Sequence, residues 1–281
     1  MNWLTDEKLP IGAWAKSGVD WLTDNGAWFF DGLSAVLEAM IDAILAVLQA
    51  PPPLVAVLIA AALAYLVRRK VSFAVFVAAS LLLILNQGYW EETTETLSLV
   101  IAASIVCMAI GVPLGVAAAH RPRLFAAMRP VLDLMQTIPT FVYLIPALIL
   151  FGLGMVPGLI ATVVFAIPAP IRLTQLGVSS TPRQLIEAGE AFGATKSQLL
   201  WKVELPYALP QIMAGLTQTI MLSLSMVVIA ALVGADGLGV PTLRALNTVN
   251  IARGFEVGIA IVLIAIVLDR FFRNDGKEGR S

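Results

Sequence analysis

The chain has 281 residues, of which 59% are apolar and 13% charged, with a formal net charge of −1 and a mean hydropathy of +0.87. Average soluble domains carry about 45–50% apolar and about 25% charged residues. This balance therefore excludes a disordered chain, a disulfide scaffold and an ordinary soluble enzyme, and it gives no electrostatic reason to expect nucleic acid as a partner. The apolar residues come in long runs and not in alternation, which argues against a transmembrane β-barrel. What remains is an all-α, polytopic helical membrane protein.

The first 50 residues stand apart. Met1–Pro10 is acidic and lacks the apolar core of a secretory signal. Trp14, Trp21 and Trp28 recur every seven residues and share one side of a helix; tryptophan prefers the membrane–water interface. The stretch 33–50 is apolar, but Asp31, Glu38, Asp42 and Gln49 fall on one helical stripe. A span would bury two carboxylates at about +2.5 to +3.5 kcal/mol each near the bilayer centre. An amphipathic interfacial helix avoids that cost, so residues 1–50 are read as an extracytoplasmic tail lying on the membrane, with an eighth span as the alternative.

Seven stretches are then long enough to cross about 30 Å of hydrocarbon: about 53–68, 71–89, 95–119, 130–152, 157–177, 208–233 and 255–271. The first is the shortest, framed by Pro51-Pro52-Pro53 and Arg68-Arg69-Lys70. Placing Arg68–Lys70 in the cytoplasm puts 14 of the 18 lysines and arginines on that side, with Lys8, Lys16, Arg244 and Arg253 opposite. The positive-inside rule then sets an outside N-terminus and a cytoplasmic C-terminal tail over 272–281. Pro113, Pro139, Pro146, Pro157, Pro168 and Pro170 punctuate the middle spans. Each can kink a helix, as in broken transporter helices, or be merely tolerated there.

Few residues carry chemistry. Cys107 is the single cysteine and lies in an apolar run; His120, the single histidine, closes one and reads as an interfacial residue. No histidine–cysteine cluster has metal-site spacing, and no GxxxxGK[ST] loop is present to hold ATP phosphates.

The longest cytoplasmic loop, 179–206, reads as two capped helices. Thr181-Pro182-Arg183-Gln184 offers a capping box with proline at the first helical position. That helix runs to about Phe192 and stops at Gly193. Thr195-Lys196-Ser197-Gln198 repeats the capping pattern, and the second helix carries Leu199, Leu200 and Val203 and ends before Pro206.

Glu187-Ala188-Gly189, then Gly193, then Val203-x-Leu205-Pro206 resembles the EAA signature of bacterial ABC importer permeases. The spacing matches throughout, with glycine for the second alanine at 189 and valine for isoleucine at 203. The segments 134–144, 171–174 and 224–230, together with the acidic aromatic tail, are similar to the permeases for glycine betaine, choline and related quaternary ammonium compounds. The likeness covers about residues 95–271, the core permease domain, with 51–94 as two accessory helices.

The resemblance implies a type I importer permease fold in the bacterial inner membrane. It also implies a second permease copy, two ATP-binding cassette subunits and a separate extracytoplasmic binding protein. The chain itself would bind no cofactor and hydrolyse no ATP; ATP would be used by the partner subunit, to which the signature residues of the 179–206 loop would couple. Gln136, Thr137, Thr140, Tyr143, Gln218, Thr219 and Ser223 are candidates for the translocation path, and Tyr89, Trp90 and Phe141 are further aromatics for the mouth or path. The rival readings are an importer permease for another small solute such as an amino acid, and an ion-coupled secondary transporter. The second lacks membrane-buried carboxylates: Asp133 and Asp269 both fall near span ends.

Overall fold

A computed structural model describes residues 10–272. Residues 1–9 of the tail, and 273–281 with Arg273, Lys277 and Arg280, lie outside the described residues. The helices are α1 (Ile11–Gln49), α2 (Pro53–Arg68), α3 (Val71–Asn86), α4 (Trp90–His120), α5 (Pro122–Thr137), α6 (Thr140–Phe151), α7 (Met155–Ala166), α8 (Pro168–Ser179), α9 (Arg183–Ala191), α10 (Lys196–Leu199), α11 (Leu205–Ala230), α12 (Gly239–Asn247) and α13 (Ile251–Phe272). A π turn over Leu200–Glu204 joins α10 to α11. The described residues contain no strand.

The centre is built where α4, α8 and α11 cross. Small residues let these backbones meet, the device that membrane helices use where no hydrophobic effect drives them together. A Cβ on Gly111 of α4 would lie 2.8 Å from the Pro170 ring, and one on Gly115 would lie 2.6 Å from Thr174. From α11, a Cβ on Gly215 would lie 3.2 Å from the Pro170 Cα. Proline thus serves here as a packing surface, because Pro168 and Pro170 sit in the first turn of α8, where no helical N–H is needed. Ile167 keeps helical dihedrals, so α7 and α8 cross as one track, Met155–Ser179.

Against the seven expected stretches, the described residues hold four to six spans, the higher number counting each of two bent helix pairs as one. Four tracks are long and apolar enough alone: Trp90–His120, Met155–Ser179, Lys196–Val233 and Ile251–Phe272. The stretch 130–152 is not one helix; α5 and α6 meet at 95°. Ile138 is extended (φ −63°, ψ 131°) because Pro139 disfavours the helical region for the residue before it. The two accessory helices have 16 residues each, about 24 Å at 1.5 Å per residue. They form a hairpin through Arg69, whose backbone is left-handed (φ 51°).

Side-chain ties sort the turns into two ends. At one end Arg68 donates to the Arg270 carbonyl, Arg172 pairs with Asp133 at 2.6 Å, and His120 meets Glu204. At the other, Gln49 donates to Thr94 at 2.9 Å, the Gly154 amide to the Val233 carbonyl at 2.9 Å, and the Leu238 amide to Thr96 at 2.9 Å.

Helix α1 lies at this second end, turned 96° from α2. Its buried Leu37 and Ile41 pack with Leu99, Ala102, Ala103, Val156 and Leu159. Phe30 meets Phe151 edge-on at 5.5 Å. Asp31, Glu38 and Asp42 are exposed on its other face, and Trp14, Trp21 and Trp28 are left open.

Candidate functional site

The loop between α8 and α11 is held by its own backbone. Helix α9 ends at Phe192, and Gly193 takes the left-handed conformation, φ 78°. The Gly193 amide then donates to the Glu190 carbonyl at 2.8 Å and the Ala194 amide to the Gly189 carbonyl at 3.0 Å. These two bonds are the Schellman pattern, which satisfies the last carbonyls of a helix. Next, Thr195 and Gln198 close a reciprocal capping box: the Thr195 amide donates to Gln198 Oε1 at 2.8 Å, and the Gln198 amide to Thr195 Oγ1 at 3.3 Å. The tip is therefore a fixed bend between two helices.

Two details differ from expectation. Thr181 does not cap α9. Pro182 is extended (φ −57°, ψ 131°) and is itself the cap residue, so the helix starts one position later. The first turn is supported instead by Arg183 donating to Glu187 at 2.9 Å. Secondly, the helix after Thr195 does not end before Pro206. The π turn over 200–204, closed by the Leu205 amide on the Leu200 carbonyl, absorbs the proline, and the helical track runs on to Val233. A π turn widens the helix by one residue, which spares the carbonyl that a proline would otherwise strike.

The matched signature residues divide by role. Gly189 is a contact position: a Cβ there would lie 2.5 Å from Leu199 Cδ2 and 3.9 Å from Val203. Glycine in place of alanine brings α9 down onto Leu199, which is buried. Leu205 packs with Val116, Ala119, Val178 and Ala208, fastening the root of the loop to α4, α8 and α11. Glu187, Ala188, Gly193 and Pro206 are exposed. Phe192 at the tip is 92% exposed, and Leu185 and Trp201 are open beside it. The loop thus presents a rigid, partly apolar surface left open among the described residues.

One pair escaped the sequence reading. Glu204, between Val203 and Leu205 of the signature, is buried, and its carboxylate meets His120 Nε2 at 2.9 Å. His120 is therefore not simply an interfacial residue. The available signal was a lone carboxylate in the run 199–210 and a lone histidine 84 residues away.

The path candidates are scattered. On α11, Gln211, Ala214, Gln218, Met221 and Ser225 are exposed at helical spacing and form one open stripe. Gln218 lies on it. Thr219 and Ser223 lie on the opposite, fully buried side, and their hydroxyls donate to the Gly215 and Thr219 carbonyls of their own helix. At the α5–α6 elbow Gln136 and Thr140 are half-buried and Thr137 is exposed. Tyr143 packs beside Leu144, Ala161 and Met226, and its buried hydroxyl has no partner among the described residues. Phe141 is open, whereas Tyr89 is buried at the second end and donates to Glu256 at 3.3 Å. Burial and the Glu256 carboxylate raise the Tyr89 pKa above the usual phenol value. No three histidine, cysteine or acidic residues are grouped to hold a metal among the described residues.

Comparison with known proteins gives the loop and bundle a context. Residues 111–274 match the family described as the binding-protein-dependent transport system inner membrane component. The glycine betaine transport system permease protein OpuAB of Bacillus subtilis is 44% identical over 267 residues, covering 95% of this chain and 94% of that protein. The glycine betaine/carnitine transport permease protein GbuB of Listeria monocytogenes is 42% identical, covering 97% and 98%. The glycine betaine/proline betaine permease ProW of Escherichia coli is 41% identical, covering 97% of this chain and 77% of that protein. A solved inward-facing MetNI methionine ABC transporter superposes with a TM-score of 0.59 at 25% identity, covering 66% of this chain and 94% of that one.

Proposed function

This chain belongs to the inner membrane components of binding-protein-dependent transport systems, and we propose that it carries glycine betaine and related quaternary ammonium solutes across the bacterial inner membrane. It is a transport subunit and not an enzyme. The observation that carries the substrate reading is the likeness, along nearly the whole chain, to three glycine betaine permeases. Choline is kept in the same class by a weaker likeness to the choline permease OpuBD of Bacillus subtilis, 35% identical over 158 residues.

The assembly contains two copies of this chain, two ATP-binding cassette subunits and a separate extracytoplasmic binding protein. This chain holds no cofactor. The end bearing Arg68, Arg121 and the α9–α10 loop faces the cytoplasm, which agrees with the 14-to-4 division of basic residues. Residues 1–50 are extracytoplasmic, with α1 lying along the outer leaflet. Its right-angle turn from α2 and its exposed acidic face support that placement over an eighth span. Residues 51–94 are accessory and 95–271 are the core.

The mechanism follows from what is rigid. The bend at Gly193, fixed by its Schellman and capping-box bonds, lets α9 and α10 move as one body against the ATPase surface. Glu187, Ala188, Phe192 and Gly193 form the contact; Gly189, Val203, Leu205 and Pro206 transfer the motion to α11. The open α11 stripe with Gln218 faces the path between the two copies, and Gln136, Thr137, Thr140 and Tyr143 flank it from the elbow. Thr219 and Ser223 support the stripe from behind. A quaternary ammonium head offers no N–H to recognise, so its selection falls to aromatic cages, which we place in the binding protein.

The test is direct binding of labelled glycine betaine, choline and methionine to the cognate binding protein, followed by uptake through the assembled complex. Uptake of the quaternary ammonium solutes, unaffected by excess methionine, is expected. Preference for methionine or another amino acid would replace the substrate assignment.

A further inference from the structure

Glu204 is the only buried charged residue among the described residues, 8% exposed. It is the last residue of the π turn, at the root of the loop that meets the ATPase. Its partner, His120, is the last residue of α4. The His120 ring is fixed at both nitrogens: Nδ1 faces the Val116 carbonyl at 2.9 Å and Nε2 faces the Glu204 carboxylate at 2.9 Å. Both faced atoms are acceptors. Each bond forms when the ring nitrogen concerned carries the proton. The C-terminus of α4 suits such a donor, because the helix carbonyls point there.

The Glu204 side chain is 11% exposed and that of His120 47%, and a partly exposed pair of this kind gains little stability, since water screens it. What an ion pair adds is register: it is satisfied in one alignment of the two elements, whereas apolar side chains can slide. Here the apolar neighbours are Leu205 on one side and Val116 and Ala119 on the other, a contact that would tolerate sliding by itself. The π turn that holds Glu204 is an irregular segment of the 196–233 track, and such turns are frequent at functional sites.

We propose that the His120–Glu204 pair is the tie through which movement of the ATPase-facing loop is passed to α4, so that α4 and α11 move together. The proposal rests on the importer reading above. His120 and Glu204 act as positioning residues and touch neither solute nor ATP. Losing the tie leaves the loop free to follow the ATPase while α4 lags behind, so hydrolysis continues without matching translocation.

The experiment measures solute moved per ATP hydrolysed, in proteoliposomes holding permease, ATPase subunits and binding protein. His120→Ala and Glu204→Gln are expected to lower that ratio at least about tenfold, the change that ~1.4 kcal/mol produces, while hydrolysis stays within about twofold of wild type. His120→Lys, which sets a cation opposite Glu204, and the exchanged pair His120→Glu with Glu204→His are expected to recover the ratio. These charge-balanced variants also serve where removing one partner prevents assembly. An unchanged ratio in His120→Ala and Glu204→Gln overturns the tie. So does a parallel fall of transport and hydrolysis in every variant, which marks a purely structural pair. Solute accumulation by wild type without ATP hydrolysis would instead overturn the importer reading, and the tie with it.

Discussion

Gly193 isolates backbone conformation from packing, which makes its replacement informative. Its φ is 78°, and an added Cβ would meet no atom within 4 Å. Within this chain, the strain of Gly193→Ala is therefore that of the left-handed backbone, about 1–2 kcal/mol for a residue with a Cβ. That shifts the bent-to-unbent balance of the loop by roughly 5- to 30-fold. Gly193→Asn is milder, because asparagine enters this region readily. Gly193→Pro fixes φ near −65° and deletes the amide that donates to Glu190 at 2.8 Å. The expected order of transport in proteoliposomes is glycine, asparagine, alanine, proline, with the proline variant inactive although inserted in normal amount. Near-normal transport by Gly193→Pro, or asparagine worse than alanine, would refute the role of this bend.

Three further outcomes follow from the same structure. Phe192→Ala leaves the permease fold unchanged, since the ring is 92% exposed. A central aromatic at an interface is worth about 2 kcal/mol, so copurification with the ATPase subunits should weaken by roughly thirtyfold; undiminished copurification would remove Phe192 from the contact. In a Cys107→Ala background, an impermeant maleimide should label Lys16→Cys on sealed cells but not Lys196→Cys. Labelling at 196 alone reverses the orientation, and protection at both favours an eighth span. Finally, the raised Tyr89 pKa means that the neutral phenol is the form stabilised on folding. Its contribution is complete below about pH 10 and is lost as pH rises through the raised value. The gap in thermal stability between wild type and Tyr89→Phe should stay constant to about pH 10 and close above it; a gap already closing near neutrality would contradict the assignment.

Local chemistry was readable where a few adjacent residues decide the outcome. The Thr195–Gln198 box and the stop at Gly193 form as their sequence suggests, because caps depend on residues within one turn. Thr181 looked equally suited, but Pro182 took the extended conformation and moved the helix start to Arg183. Pro139 was visible as a kink; that it turns the chain through 95° depends on what packs on either arm. The π turn has no composition of its own, so Pro206 read as a stop. Gly189 stood out in the sequence only as glycine for the second alanine of the signature, whereas the facing Leu199 makes it a contact position. The His120–Glu204 pair joins residues 84 positions apart and could not emerge from any local window. Thr219 and Ser223 were as polar as Gln218; only the packing of α11 separates the open stripe from the buried one.

The account stands or falls on what drives transport. The decisive measurement is accumulation of labelled glycine betaine in proteoliposomes, with permease, ATPase subunits and binding protein added singly and together. Accumulation is expected only when all three are present with ATP on the loop side, and it should persist when proton and sodium gradients are collapsed. Accumulation by the permease alone, driven by either gradient, would contradict the account.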